Sequence, residues 1–216
     1  MSLTSLAEQP LASIPLRNEP VQARSTARLA GLLDAAAAVV DELGYERLTT
    51  AMVAERAGAS IGTVYRYFPD RIAVLQALAT RNLERTLELV ELEIANPVHQ
   101  DWAAALSGGF TIFVNAFRNE PGFRSLRVGD VIDLRPAPND FTYNSVVADR
   151  MRLALTKRFQ LPNDEKIGFA FEVAIEISDA MAARAFALDS QGDPAFLDAG
   201  RDAVYSILAK HFGAPA

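Results

Sequence analysis

Gly62, Thr63 and Arg66, flanked by Tyr65 and Tyr67, are the side chains here whose types and spacing suit a chemical task, and that task is recognition rather than catalysis. At about 100° per residue in a helix they lie opposite Val64 and Phe68. Plain solvent exposure explains such a face poorly, because glycine weakens a helix interior and two phenol rings are left wet. A groove of duplex DNA explains it well. Gly62 admits close backbone approach, Thr63 meets a phosphate or a thymine methyl, and Arg66 pairs bidentately with guanine. The two phenols reach phosphates of the flanking strands.

The elements that must position this face can be read from the preceding residues. Thr49 caps a helix over residues 50–57, its hydroxyl taking one of the orphan N–H groups of the first turn. Val53 and Ala57 point inward, and Ala54 is small where a crossing helix needs close approach. Gly58 supplies the positive φ of a sharp helix-to-helix turn. Ser60 caps the second helix, whose inner face carries Val64 and Phe68. Two short helices joined in this way form a helix-turn-helix, the second helix lying in the major groove.

The run Ala57-Gly58-Ala59-Ser60-Ile61-Gly62-Thr63-Val64-Tyr65-Arg66-Tyr67-Phe68-Pro69-Asp70-Arg71 resembles the signature of the TetR-like bacterial transcriptional regulators. The resemblance runs from about Ser25 to Leu78, roughly a quarter of the chain, and beyond it only the architecture agrees. It implies DNA contacts from Thr49, Thr63, Tyr65 and Tyr67, and from a basic residue opening the next helix, here Arg71. Arginine stands there where the family usually has lysine, which keeps the charge and changes the geometry. Ile61 stands where a polar residue is common, and offers a methyl contact or packs inward. With Arg28, Ser60, Ile61, Gly62 and Arg66, these residues make up the expected DNA-binding set.

The net charge of −6 divides unevenly. Residues 1–81 hold eight arginines and eight acids, whereas residues 82–216 hold thirteen basic and nineteen acidic side chains. The acidic excess therefore lies away from the helix-turn-helix, and the local arginines remain able to meet phosphate. The absence of cysteine excludes disulfides, thiol catalysis and zinc-thiolate sites, and fits a reducing cytosol. No apolar run approaches a membrane span and no leader pattern opens the chain, so the expectation is a soluble cytoplasmic protein without cofactor or metal. Residues 1–24, with prolines at 10, 15 and 20, read as a flexible arm. Alternatively Arg17, Arg24 and Arg28 extend the contact to neighbouring phosphates or the minor groove.

Helical periodicity continues to the end of the chain, giving an all-α fold with no internal repeat and no period-2 stretch. Residues 25–44 brace the recognition pair through Leu29, Leu32, Leu33, Ala36, Val40 and Leu43. Asp70 caps a long helix reaching residue 96, on the order of 40 Å of rod that links the DNA-binding part to the C-terminal helices. Further helices are expected over 101–119, 123–128, 140–159, 163–190 and 194–212, with a proline-marked loop at 133–139. The domains are then 1–24, an arm; 25–70, the three-helix DNA-binding domain; and 71–216, a helical effector-binding and dimerisation domain.

The last two helices are apolar on more than one face. Either they sit at a domain core, or one face packs on its own domain and the other on a second subunit. The resemblance implies a four-helix dimer interface here, and small residues make Ala174, Ser178, Ala182, Ala185 and Ala203, with Ile207, the candidate contact. A two-fold partner also gives so small a reading head its affinity and its pseudo-palindromic register on double-stranded DNA. The resemblance further implies a small-molecule effector that releases DNA. Phe110, Phe113, Phe117, Phe123, Phe141 and Phe169 are candidate lining for a largely apolar ligand, with Arg118, Arg127 and Asn144 to orient it, although each aromatic also suits a filled core.

Enzyme chemistry finds no support. His99 and His211 stand far apart and outside any metal-ligand spacing, and there is no nucleophile elbow, P-loop or dinucleotide fingerprint; Gly108-Gly109 falls inside a helical pattern. Two functions remain: a dimeric, ligand-responsive transcriptional regulator acting most simply as a repressor, and a helical module whose helix-turn-helix docks another protein. The outward face of Thr63, Tyr65, Arg66 and Arg71 favours the first.

Overall fold

The computed structural model describes residues 23–128 and 142–214, and every element in them is helical. In chain order these are α1 (Ala23–Leu43), a single 3-10 turn (Tyr45–Arg47), α2 (Thr50–Arg56), α3 (Ile61–Tyr67), α4 (Arg71–Ala95), α5 (Trp102–Asn119), α6 (Phe123–Val128), α7 (Tyr143–Phe159), α8 (Glu165–Phe186) and α9 (Pro194–Phe212). The expectations for residues 1–22, for the loop at 133–139 and for Phe141 lie outside the described residues. No helix among those described is long and apolar enough to cross a membrane.

The chain forms two compact units, and the division does not follow the expected boundary at residue 70. One unit holds residues 23–83 together with 120–128; the other holds 84–119 and 142–214. The reason lies in α4. Its residues 73–79 are buried without interruption, polar Gln76 included, so the first turns of this helix are part of the first unit's core. Leu32, Leu48, Val53, Val64, Phe68, Leu75 and Leu78 complete that core, each with no measurable exposure. Helix α6 is held in the same unit. Asn82 Nδ2 donates to the Pro121 carbonyl at 3.2 Å, and Phe123 and Leu126 are fully buried. Gly122 adopts φ +75°, and a Cβ there would stand 3.2 Å from Val40 Cγ1.

In the second unit, aromatic side chains knit α5 to α8 and α9. Trp102 stacks on Tyr205 with ring centroids 5.5 Å apart and meets Phe212 edge-on, while Phe117 stacks on Phe186 at 4.7 Å. Helices α8 and α9 cross where Gly200 leaves room, since an added Cβ would lie 3.0 Å from Met181 Cβ. Helix α7 is tied by charge. Arg150 reaches Glu84 at 2.5 Å and Glu91 at 2.7 Å, and Arg158 Nη2 donates to the carbonyls of Asn96 and His99. Arg152, 2% exposed, pairs with Asp149 and with Asn163. Such burial is tolerable only because the guanidinium has both partners. His99 bonds Glu93 at 2.8 Å across Gly108, where a Cβ would come within 2.7 Å of the carboxylate.

Helix ends follow their caps. Thr142, Asp164 and Asp193 each accept a first-turn N–H of α7, α8 and α9. Helix α8 stops at Phe186, short of the expected residue 190, because the chain doubles back over its own last turn. The Asp193 N–H donates to the Ala185 carbonyl at 3.0 Å, and Gly192, at φ +81°, lies so close to Phe186 that a Cβ would sit 2.7 Å from the ring.

Candidate nucleic-acid interface

The helix-turn-helix is assembled by local hydrogen bonds that the residue types dictate. The Met52 N–H donates to Thr49 Oγ1 at 3.2 Å, and the Thr63 N–H donates to Ser60 Oγ at the same distance, so both expected caps are in place. Between the helices Gly58 takes φ +58° while its N–H and that of Ala59 close back onto Glu55 and Ala54. This reversal satisfies the carbonyls that end α2. Val64 and Phe68 are fully buried, which turns the opposite side of α3 outward.

On that outward side Ile61 is 44% and Tyr65 43% exposed, Gly62 and Arg66 are exposed, and Thr63 is half-buried with its hydroxyl 2.9 Å from Ser60 Oγ. Among the described residues a Cβ built on Gly62 finds only Ser60 Oγ, at 3.8 Å, so no packing among them requires glycine there. Ile61 thus faces out and contributes a bare hydrocarbon surface. Arg28 is exposed on α1 and Thr49 at the start of α2. Arg71 is exposed as well, and its Nη1 donates to the Glu46 carbonyl at 2.8 Å, which fixes the guanidinium beside the 3-10 turn. Arg56 is engaged elsewhere, in a two-toothed pair with Glu42 at 2.8 and 2.5 Å. The hydrogen bond from Arg56 holds the Glu42 carboxyl below the usual carboxylate range. Arg81 pairs with Asp34 at 2.7 Å.

Tyr67 departs from the expected placement. Its ring is 4% exposed, and its hydroxyl lies 2.9 Å from Ser25 Oγ and 3.4 Å from the Ser25 carbonyl. Three residues after Val64, it is only about 60° round the helix from the buried direction, and α1 covers that flank as well. The phenol that flanks the outward face is that of Tyr65 alone, and its hydroxyl takes a hydrogen bond from Thr50 Oγ1 at 3.3 Å.

The expected dimer contact divides in two. Ala174, Ser178, Ala182 and Ala185 are 0–8% exposed within the single chain. Their small side chains serve the close packing of α8 on its own neighbours, and a face already covered is not available to a second copy. Ala203 and Ile207 stay partly open, on the same side as Phe169, Val173 and Ile177. Between α8 and α9 this side holds a hollow of about 470 Å³ lined by Phe169, Ala170, Val173 and Ile207, with Lys166, Lys210 and His211 at its margin.

The expected effector lining is likewise redistributed. Phe169 is 67% exposed beside this open hollow, not in the interior, because α8 turns that edge outward. Phe123, buried, and Arg127 belong to the first unit, whereas Phe110, Phe113, Phe117, Arg118 and Asn144 belong to the second. Phe113 stands edge-on to Phe117 at 5.2 Å, Arg201 covers the Phe110 ring, Arg118 donates to the Gln191 carbonyl, and Asn144 donates to Glu176. Phe186 stacks on the other side of this cluster, against Phe117, and is absent from the expected lining; its only sequence signal is its place on the apolar stripe of α8.

Comparison with known proteins agrees along the chain. Residues 32–78 match the family model for bacterial regulatory proteins of the tetR family, and residues 100–212 match that for the tetracyclin repressor-like C-terminal domain. The HTH-type transcriptional repressor KstR of Mycolicibacterium smegmatis is 43% identical over 54 residues, 25% of this chain and 26% of that protein. The match thus spans about a quarter of the length of that curated relative. A crystal structure of a TetR-family transcriptional regulator from Streptomyces coelicolor superposes with a TM-score of 0.71 at 30% identity, covering 86% of this chain and 99% of the other. RolR, solved in complex with resorcinol, shares the fold at a TM-score of 0.56 and 21% identity, over 89% of this chain and 98% of its own.

Proposed function

This chain belongs to the tetR family of bacterial regulatory proteins, and we propose that it is a sequence-specific DNA-binding transcriptional repressor. It acts as a homodimer in the cytoplasm and leaves its operator when a small, largely apolar effector binds. The observation that carries this reading is the outward side of α3, where a glycine with no packing duty stands among Ile61, Thr63, Tyr65 and Arg66. Each α3 reads one half-site in the major groove, Arg66 addressing a base edge and Arg28, Thr49 and Arg71 addressing phosphate.

Two copies meet through the open side of α8 and α9, where Phe169, Val173, Ile177, Ala203 and Ile207 gain cover, and the pairing fixes the spacing of the two α3 helices. Resorcinol bound to RolR supports a small ring compound as the kind of effector that this fold accepts. Phe113, Phe117 and Phe186 form an aromatic cluster in the second unit that such a ring would join by displacing part of their mutual packing. Helix α4 contributes residues to both units, so its backbone is common to the reading head and to the effector region. Linkage makes the coupling reciprocal: an effector that weakens operator binding is itself weakened by operator to the same factor. The test is selection of duplexes from a random pool by the full-length protein. Enrichment of a pseudo-palindrome is expected, and a pool that stays unenriched at low salt refutes the proposal.

A further inference from the structure

Both tyrosines of the recognition helix spend their hydroxyls on neighbouring helices. Tyr65 takes a hydrogen bond from Thr50 of α2, and Tyr67 meets Ser25 of α1. The second link is the tighter. With the phenol donating to the Ser25 carbonyl at 3.4 Å, the Ser25 hydroxyl donates to the phenol oxygen at 2.9 Å, so each group of the pair is satisfied by the other. Ser25 lies in the first turn of α1, where backbone N–H groups lack helical partners and fraying is ordinary. Arg28 stands three residues later, exposed. The last turn of α3 is therefore tied to the turn that carries Arg28.

We propose that Tyr67 is a positioning residue for DNA binding: through Ser25 it holds the first turn of α1 in place, so that Arg28 meets phosphate, and it does not touch DNA itself. This rests on the DNA-binding reading given above. The consequence is a signature that neither a direct phenol contact nor a purely structural role produces. Removing a neutral hydroxyl should lower the salt dependence of binding, because Arg28 then no longer neutralises its phosphate. Each phosphate left without its cation reduces the slope of log K against log[salt] by about 0.9.

The experiment uses the full-length protein and a duplex taken from the selection, titrated across a salt series with wild type, Tyr67→Phe, Ser25→Ala, Arg28→Ala and Tyr67→Phe/Arg28→Ala. Phenylalanine keeps the buried ring, so the fold is retained. Tyr67→Phe and Arg28→Ala should each reduce the slope by about 0.9, and the double variant should lose no more than either. Ser25→Ala should shift binding in the same direction. Hydrogen exchange without DNA should show faster exchange over residues 25–30 in Tyr67→Phe at an unchanged melting temperature. A Tyr67→Phe protein that binds more weakly with the full slope, or that exchanges like wild type over those residues, overturns the proposal. A selection that enriches no duplex overturns instead the reading on which it rests.

Discussion

Replacing Gly62 by alanine separates what α3 needs for folding from what it needs for DNA. Among the described residues the added methyl meets only Ser60 Oγ, at 3.8 Å, an ordinary contact, and Gly62 is not among the positive-φ glycines. Alanine there removes the entropic penalty of a helical glycine, a gain of about 0.5–1 kcal/mol. For a unit this small that is on the order of 2–8 °C in melting temperature. On DNA the sign reverses. If the backbone at Gly62 lies against the groove, the methyl holds α3 away and weakens the neighbouring base contact, a loss of about 1–3 kcal/mol or roughly 5- to 150-fold in affinity. The assay pairs thermal melting by circular dichroism with anisotropy titration of the selected duplex at one salt concentration. Gly58→Ala provides the contrast: space is open there too, but φ +58° makes alanine costly by about 1–2 kcal/mol, so that variant should melt lower. A Gly62→Ala protein that melts higher and binds as tightly as wild type refutes the close approach.

Arg66→Ala should relax base preference at one position for about 1–3 kcal/mol, whereas Arg71→Ala should weaken all sequences alike and flatten the salt dependence, as selection and salt titration of each variant would record. Phe169→Glu should dissociate a dimer without unfolding the protomer; two-thirds of a side chain of about 200 Å² is worth at most about 3 kcal/mol per copy when covered. Ala182→Glu, at a site with no exposure, should instead unfold the protomer, and light scattering with denaturant titration tells the two apart. Arg150→Met should cost about 2 kcal/mol in chemical denaturation by leaving Glu84 and Glu91 half-buried without their common partner, and neutralising both glutamates in that background should recover most of it. Because Glu42 titrates below the ordinary carboxylate range when folded, its pairing with Arg56 stabilises above the unfolded-state pKa and is lost as pH falls through the folded one; the difference in melting temperature between wild type and Glu42→Gln should vanish in acid.

The helices were legible because their apolar residues repeat at 3.6, and most of their ends because threonine, serine, aspartate and glycine mark them. Thr49, Gly58, Ser60 and Asp70 each make the local hydrogen bond or adopt the dihedral that their chemistry suggests. What periodicity does not carry is the number of neighbours a helix has. A seven-residue helix with one inner face expects Tyr67 at its rim, and only the packing of α1 on a second flank puts it inside. Likewise α8 offers two apolar faces. The small residues that promise close approach to a partner equally promise close approach at home, and Ala174, Ser178, Ala182 and Ala185 serve the latter. Asp149 and Arg152, three residues apart on α7, are both buried, and Asn163, eleven residues beyond Arg152, helps make that burial possible.

The unit that carries the helix-turn-helix is not one stretch of chain, and synthesis by the ribosome proceeds in one direction. Residues 23–83 emerge first, but Val40 and Leu78 wait for Gly122, and Asn82 for the Pro121 carbonyl, until some forty further residues have been added. During that interval the nascent helices present an apolar surface that chaperones and other nascent chains can meet. A gene fragment cut after α4 would keep that surface permanently open, however complete its helix-turn-helix. The first unit is therefore complete only once α6 has been made, after the intervening residues 84–119 that belong to the second.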